Sequence, residues 1–434
     1  MTEYHHSVSL DIDKCRGCTH CVRRCPTEAI RVRGGKASID PQKCTDCGEC
    51  IRVCPYSAKK AIHDPLSVMD GYKYKIALPA PSLYGQFDHL DDIDYVIDGL
   101  HKMGFDDVFE VAKAAELVSD YTRQYLKREG LEKPVISSAC PVVVRLISLR
   151  FPFLCDNILP ILPPVEVAGK LAREKAMAEH PELKSEDIGC IFISPCPAKY
   201  SYVKNGLSGK KSNVDAVLSV SDVYFELVRI MDDIEVPESS TEAGNLGISW
   251  AVTGGESTSI FNEKYLAADG IENVIRVLEQ IDNSDISELE FVELNACMGG
   301  CVGGVMTVAN PYIAKARIHS LRRYLPVSPN MKGADTVIPD GVITSEVRYY
   351  PTPALSENRT EAMQMMAAIQ EIRKDLPDLD CGSCGAPSCA AFAEDVIRGT
   401  CGADECVVFM RQAYKDYIAG HANERTEKFG DDTE

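Results

Sequence analysis

Cys297 and Cys301 lie four residues apart in a bed of small residues, Glu293-Leu-Asn-Ala-Cys-Met-Gly-Gly-Cys-Val-Gly-Gly304. Glycine has no Cβ and lets backbone come close to a bulky object. Thiolates are soft ligands that favour iron–sulfur clusters, zinc or Cu(I). Two cysteines cannot hold a cluster of four irons, so this stretch needs partners from elsewhere in the chain.

Other cysteines come in denser groups. Cys15, Cys18, Cys21 and Cys25, followed by Pro26, form a C-x2-C-x2-C-x3-C-P run, which repeats at Cys44, Cys47, Cys50, Cys54 and Pro55. In the doubled form of this run the fourth cysteine serves the other cluster. One 4Fe–4S cluster would then take Cys15, Cys18, Cys21 and Cys54, and the second Cys44, Cys47, Cys50 and Cys25. Zinc is the alternative occupant, made remote by eight cysteines in this order. Near the other end, Cys381, Cys384 and Cys389 stand close together, with Cys401 and Cys406 farther on. Three close cysteines and one distant one suit another 4Fe–4S cluster, and zinc is again the competing reading.

The elements that must position these ligands follow from the texture of the chain. From about residue 72, strand-like and helix-like stretches alternate. Residues 74–80, 107–111, 133–138, 188–194 and 289–294 read as strands, whereas 93–103, 114–129 and 315–324 read as helices. Residues 245–252 lead into Thr253-Gly-Gly255 in the same alternating region. Such alternation indicates an α/β fold with a largely parallel sheet, whose ligands gather outside the carboxyl ends of strands. That places Cys140, Cys196, Cys297 and Cys301 at strand ends, each with proline or glycine nearby. Four such cysteines favour a shared site over four unrelated buried thiols, while Cys155 and Cys190 read as structural. Residues 326–353 read as a strap or linker, and 360–376 as an amphipathic helix whose Met363, Met366, Ile369 and Ile372 are expected in a core. The tail, 423–434, is expected to be mobile.

Length and composition set the frame. A chain of 434 residues calls for several domains, and a net charge of -19 argues against nucleic acid or an anionic membrane surface as partner. No apolar run approaches a bilayer span, and the N-terminus lacks a basic, apolar leader. Of nineteen cysteines, those in tight Cys-x-x-Cys groups in such a chain read as metal ligands in a reducing, cytoplasmic compartment.

Three stretches resemble the cluster-binding signatures of the FeFe-hydrogenase catalytic domain: Ser137-Ser138-Ala139-Cys140-Pro141, Ser194-Pro195-Cys196-Pro-Ala-Lys199, and residues 293–304. Pro79-Ala-Pro-Ser82 and Thr253-Gly-Gly255 resemble segments that line the pocket in that family. The resemblance covers roughly residues 1–320 and implies an H-cluster, a 4Fe–4S cubane linked to a diiron unit bearing CO, cyanide and an azadithiolate. It implies Cys140, Cys196 and Cys297 as cubane ligands and Cys301 as the bridge to the diiron unit. Lys199 would hold one cyanide, and Ser82 with the backbone near Pro81 the other. The fold implied is an α/β catalytic core of two lobes, 71–345, behind an α+β two-cluster ferredoxin-like domain, 1–70. A linker helix and small helical iron–sulfur domain, 346–434, would follow. With the C-terminal unit counted, the cofactors would be three 4Fe–4S clusters plus the H-cluster.

Departures from the family pattern stand beside these matches. Ala139 occupies the position of a proton-shuttling cysteine, while Ser194 and Asn295 replace methionines. The helix containing Glu116 and Asp120 does not carry a recognisable glutamate relay. These changes resemble the divergent, sensory hydrogenases, as does the C-terminal spacing C-x2-C-x4-C-x16-C, which also resembles corrinoid iron–sulfur proteins and selects Cys406 over Cys401. The expectation is slow, reversible H2 cleavage with a sensory role. A metabolic ferredoxin-linked hydrogenase and a non-catalytic assembly-type protein without the diiron unit are the alternatives. Expected partners are H2 and protons, a ferredoxin or signalling protein, and hydrogenase maturation proteins, with a homodimer as one compatible assembly.

Overall fold

The computed structural model describes residues 4–206, 211–283, 288–333, 336–344, 347–350 and 355–420. Its strands in chain order are β1 (Val8–Leu10), β2 (Ile30–Arg33), β3 (Lys36–Ile39), β4 (Lys59–Ala61), β5 (Tyr74–Pro79) and β6 (Asp107–Val108). They continue as β7 (Val135–Ile136), β8 (Ile188–Ser194), β9 (Ala216–Ser219), β10 (Tyr265–Asp269) and β11 (Phe291–Asn295). The chain packs as two units. The first comprises Met1–Ser9, Pro41–Arg52 and Lys59–Pro351, and the second Leu10–Asp40, Val53–Ala58 and Thr352–Glu434.

The first unit is built on two parallel sheets, β6-β5-β8-β9 and β10-β11-β7. Every residue of β8 is buried, because parallel strands covered on both faces need continuous apolar sequence. Neighbouring residues of β5 serve opposite faces. Ile76 and Leu78 pack with Val118, Ala168 and Ala172 of the helices Val111–Tyr125 and Pro164–Glu179. Ala77 packs with Leu100, Leu227 and Ile318 from the helices Asp94–Lys102, Val220–Met231 and Pro311–Leu321. On the second sheet, Ile136, Val292 and Leu294 meet Leu146 and Leu278 of the helices Pro141–Arg150 and Ile271–Asp282. Each fully buried Leu or Ile of this kind is worth about 1.5–3 kcal/mol.

Residues 326–333 and 336–344 wrap this core. Asn245 and Leu246 donate backbone N–H groups to the Pro326 and Val327 carbonyls. Ile343 bridges to Ile161, and Leu162 donates to the Val342 carbonyl. Glu116 and Asp120 are both fully buried and bind the strap. The Glu116 carboxylate accepts from Gly244 N (2.8 Å) and from Asn330 N and Nδ2 (2.9 Å each). Asp120 accepts from the backbone of Lys332 and Gly333 and forms an ion pair with Arg123.

In the second unit β2 and β3 form an antiparallel hairpin closed by Gly34-Gly35, both with positive φ (55° and 73°), as a primed two-residue turn requires. The helices Arg359–Asp375, Cys389–Ile397 and Val407–Gly420 supply the rest. Ile369, Leu376, Phe392 and Cys406 form its small core.

Residues 245–249 form a short helix within the region of alternating strands and helices. Gly247 sets it against the neighbouring helix, where a Cβ would stand 2.2 Å from the Ala112 carbonyl oxygen. Met363 and Met366 are 66% and 50% exposed rather than core, because a core this small covers only the end of the helix that carries Ile369. The tail 423–434 and residues 351–354 of the strap and linker region lie outside the described residues. No helix among the described residues is long and apolar enough to cross a membrane.

Candidate metal centres

Three of the four catalytic-unit cysteines follow strands at their carboxyl ends. Cys140 lies beyond β7 and Cys196 beyond β8, each directly ahead of a helix that opens with proline, Pro141 and Pro197. A helix N-terminus favours a thiolate. Cys297 follows β11, and Cys301 opens a short 3-10 turn. The glycines between and after them are needed for close approach. Gly300 has φ +94°, and a Cβ there would stand 2.6 Å from Thr253 N; at Gly304 it would stand 2.2 Å from the Pro195 carbonyl oxygen.

The four sulfurs face one space and raise one another. Burial pushes the Cys297 thiol well above its ordinary value, and Cys196, Cys140 and Cys301 push it further. Burial and then Cys196 and Cys140 lift Cys301 to about 12, and burial and then Cys140 lift Cys196 to about 11. Cys301 retains accessible surface. A tetrahedral zinc would need sulfurs about 3.8 Å apart. Among the described residues, the group with three candidate ligand atoms within 4.8 Å of one another is His6, Cys44 and Asp46. Four thiols that interact without such closeness suit a polynuclear cluster better than one ion.

Polar groups at this site fit an anionic guest. The Lys199 charge draws down Cys196 and Cys301, and its Nζ donates to the Ala139 carbonyl oxygen at 2.9 Å. Ser82, in the turn Pro81–Gln86 after β5, is fully buried with a hydroxyl that has no partner. The Thr253 hydroxyl is likewise buried and unpartnered. Orphaned buried hydroxyls are costly unless something accepts from them.

Ser194 and Asn295 act on neighbours. The Ser194 hydroxyl donates to the Cys196 carbonyl (3.0 Å) and accepts its N–H (3.3 Å), locking that turn. Asn295 Nδ2 donates to Glu293 Oε1 at 2.9 Å.

Sequence reasoning gave no role to three residues that the structure joins here. Glu256 is buried and accepts from the Ser137 hydroxyl at 2.6 Å, and that hydroxyl accepts the Ala139 N–H at 3.1 Å. Burial, then the Glu293 charge, holds Glu256 well above the usual carboxylate range. Glu293 itself is pinned by the N–H groups of Gly254 and Ser257, at 2.9 Å each. Carboxylates placed among small residues at strand ends were the available signal. Glu116 and Asp120 are instead occupied by the strap.

The first three cysteines of the second run, Cys44, Cys47 and Cys50, belong to the same unit as Cys140, Cys196, Cys297 and Cys301. Cys47 packs on the apolar cluster that Cys140 and Cys196 also line. Arg145, one turn after Cys140, donates to the Cys44 carbonyl at 2.6 Å and to those of Pro41 and Gln42. Arg52 donates to the Gly303 carbonyl at 2.8 Å. Gly48 leaves room for Val305, whose side chain a Cβ would meet at 2.5 Å. Cys44 and Cys50 lie in this unit, while Cys25 belongs to the second.

The second unit holds Cys15, Cys18, Cys21 and Cys54. The two runs share a local design. Gly17, Thr19 and Glu28 adopt positive φ in one, and Asp46, Gly48 and Ser57 in the other. Cys25 accepts the Ala29 N–H (3.2 Å) as Cys54 accepts that of Ala58 (3.3 Å). In the same unit Cys381, Cys384, Cys389 and Cys406 line one cavity with Phe392 and Val408. Cys401 is not part of that lining and accepts from Arg33 Nη2 at 3.5 Å.

Comparison with known proteins agrees with this layout. The family profile described as iron only hydrogenase large subunit, C-terminal domain, matches residues 73–261 and 251–305. A 4Fe-4S dicluster domain matches residues 7–55, and an Fe-S cluster domain residues 376–408. The chain is 25% identical to the periplasmic Fe hydrogenase large subunit of Nitratidesulfovibrio vulgaris, covering 69% of this chain and 86% of that protein. It is 22% identical to iron hydrogenase 1 of Clostridium pasteurianum, covering 54% of this chain and 50% of that one. An apo FeFe-hydrogenase of Chlamydomonas reinhardtii superimposes at a TM-score of 0.49 and 15% identity, over 64% of this chain and 95% of that one. By the extent of the first match, with a ferredoxin-like dicluster domain ahead of it, the chain belongs to the FeFe-hydrogenase family.

Proposed function

We propose that this protein cleaves H2 reversibly and slowly to protons and electrons, and reports hydrogen or redox state to a partner. The observation that carries this reading is four thiols from distant segments that raise one another, with the Lys199 charge acting on two of them. In this reading Cys140, Cys196 and Cys297 would hold a 4Fe–4S cubane, and Cys301 would hold a diiron unit with CO, cyanide and azadithiolate ligands. When bound, that group supplies the metal site where H2 is split and its electrons are taken up. Lys199 holds one cyanide as a cation on an anion, and Ser82 with the backbone beside Pro81 holds the other. The glycines of the third signature let backbone close around the group and exclude water.

Protons limit the rate in this reading. Ala139 offers no exchangeable proton ahead of Cys140. A positioned acid or base is worth about 10²–10⁴-fold, so turnover is slow while binding persists. Ser194 and Asn295 position the Cys196 turn and Glu293 and so tune the site indirectly. Electrons pass through the clusters of the two N-terminal runs. The third cluster, on Cys381, Cys384, Cys389 and Cys406, gives the sensory output in this reading; the cavity those residues share supports them as one ligand set. A ferredoxin or signalling protein with a basic docking face suits the acidic chain, which acts in the cytoplasm after loading by maturation proteins. Lys199 and Ser82 weigh against an assembly-type protein without a diiron unit.

The deciding experiment is infrared spectroscopy on anaerobic protein loaded with a diiron mimic. CO and cyanide bands that respond to H2 are expected. Their absence from protein with a full cubane complement would sink the hydrogenase reading.

A further inference from the structure

We infer that the C-terminal cluster and the cluster held by Cys15 exchange electrons directly across the β2–β3 hairpin, through the Val32–Ala37 pair. This rests on the cluster assignments above but not on hydrogen turnover. All the residues involved lie in the second unit. Val32 stands opposite Ala37 in the antiparallel register. The Val32 N–H leaves the hairpin on one side and donates to the Gly385 carbonyl at 2.9 Å. The Ala37 N–H leaves it on the other side and donates to Cys15 Sγ at 3.4 Å. Outward-pointing N–H groups on both partners mark a non-hydrogen-bonded pair, whose Cα atoms are about 4.5 Å apart. Gly385 directly follows Cys384 in the chain. Between the two cysteine sets there is thus one peptide unit, one hydrogen bond, one narrow strand pair and one hydrogen bond onto sulfur.

The contact is built for closeness. Gly385 has φ +83°, and a Cβ there would stand 2.0 Å from the Val32 carbonyl oxygen. Only glycine lets the cysteine loop lie against the strand. Arg33 fastens it: Nη1 donates to the Cys384 carbonyl at 2.6 Å, and Nη2 pairs with Asp395 at 2.6 Å. Arg31 Nε reaches the same carboxylate at 2.7 Å. Arg33 is therefore a positioning residue, contributed by the N-terminal run, that sets a positive charge beside Cys384. Charge and hydrogen bonds near the sulfurs set a cluster's potential, and a cation favours the reduced, more negative state. In the transfer one electron leaves the reduced cluster and enters the oxidised one, with no bond made or broken and no proton moved.

The test is electron paramagnetic resonance on full-length protein carrying its iron–sulfur clusters but no diiron unit, reduced with dithionite. Expected are signals split and broadened by coupling between the two reduced clusters. Loss of the C-terminal cluster in Cys389→Ala should remove its share of the splitting from the Cys15 cluster's signal, leaving only the coupling to the clusters that remain. In partly reduced samples Arg33→Gln, with its iron intact, should move electron share from the C-terminal cluster to the Cys15 cluster. A fully loaded native protein that gives only independent signals, or an Arg33→Gln spectrum identical to the native one, overturns the inference. Retention of all iron by Cys389→Ala would instead overturn the ligand assignment beneath it.

Discussion

Ser137 Oγ donates to Glu256 Oε2 at 2.6 Å while accepting the Ala139 N–H at 3.1 Å, so one hydroxyl joins a buried acid to the residue ahead of Cys140. Burial, and then the charge of Glu293, raises Glu256. A carboxyl raised on folding binds more proton in the native state. Its contribution is therefore complete below the ordinary carboxylate range and is lost as pH rises through the raised value. Thermal stability should fall from about pH 5 to about pH 9 more steeply in the native protein than in Glu256→Gln. Melting curves across that range check this, and parallel slopes would refute it.

Replacing Ala139 by cysteine puts an exchangeable proton where the chain has none. The Lys199 bond goes to the backbone carbonyl of residue 139 and should survive the change. Hydrogen turnover in the loaded Ala139→Cys protein is expected to rise, by up to about 10²–10⁴-fold if proton supply alone limits it. Unchanged turnover would place the limit elsewhere.

Cys401 and Cys406 should separate cleanly by iron content. Cys406 is buried and lines the cavity with Cys381, Cys384 and Cys389, whereas Cys401 faces Arg33. Cys406→Ser is expected to lose one cluster's iron, and Cys401→Ser to retain it. The reverse pattern would make Cys401 the fourth ligand.

Glu116→Ala should loosen the strap. It strands the N–H groups of Gly244 and Asn330 and leaves a void in a buried site. A destabilisation of roughly 2–4 kcal/mol is expected in denaturant titration, with faster proteolysis near residues 326–333. An unaltered cleavage rate would show that the strap is held by other contacts.

What the sequence made legible depended on how local each constraint was. Each C-x2-C-x2-C-x3-C-P run gathers its first three cysteines within seven residues, so spacing alone singles it out. The end of β8 before Cys196 was readable because a strand buried on both faces is apolar throughout. Glu256, Ser137 and Glu293 meet only after three distant segments converge, and no periodicity announces that. Met363 has the spacing of a core residue, but no second element covers its turn of the helix. Ser194 was visible as a departure, although its hydrogen bonds to the Cys196 backbone were not.

The stitching of the Cys44–Cys50 run to the segments that carry Cys140 and Cys301 bears on how such a chain could be cut and rejoined. A fragment beginning near residue 70 would leave Arg145 facing no Cys44, Pro41 or Gln42 carbonyl, and would remove the Arg52 side chain from Gly303 and Gly48 from Val305. The electron-carrying module is thus not an interchangeable bead on a string. Grafting a foreign one would require Arg52, Gly48 and the three carbonyls that receive Arg145 to travel with it.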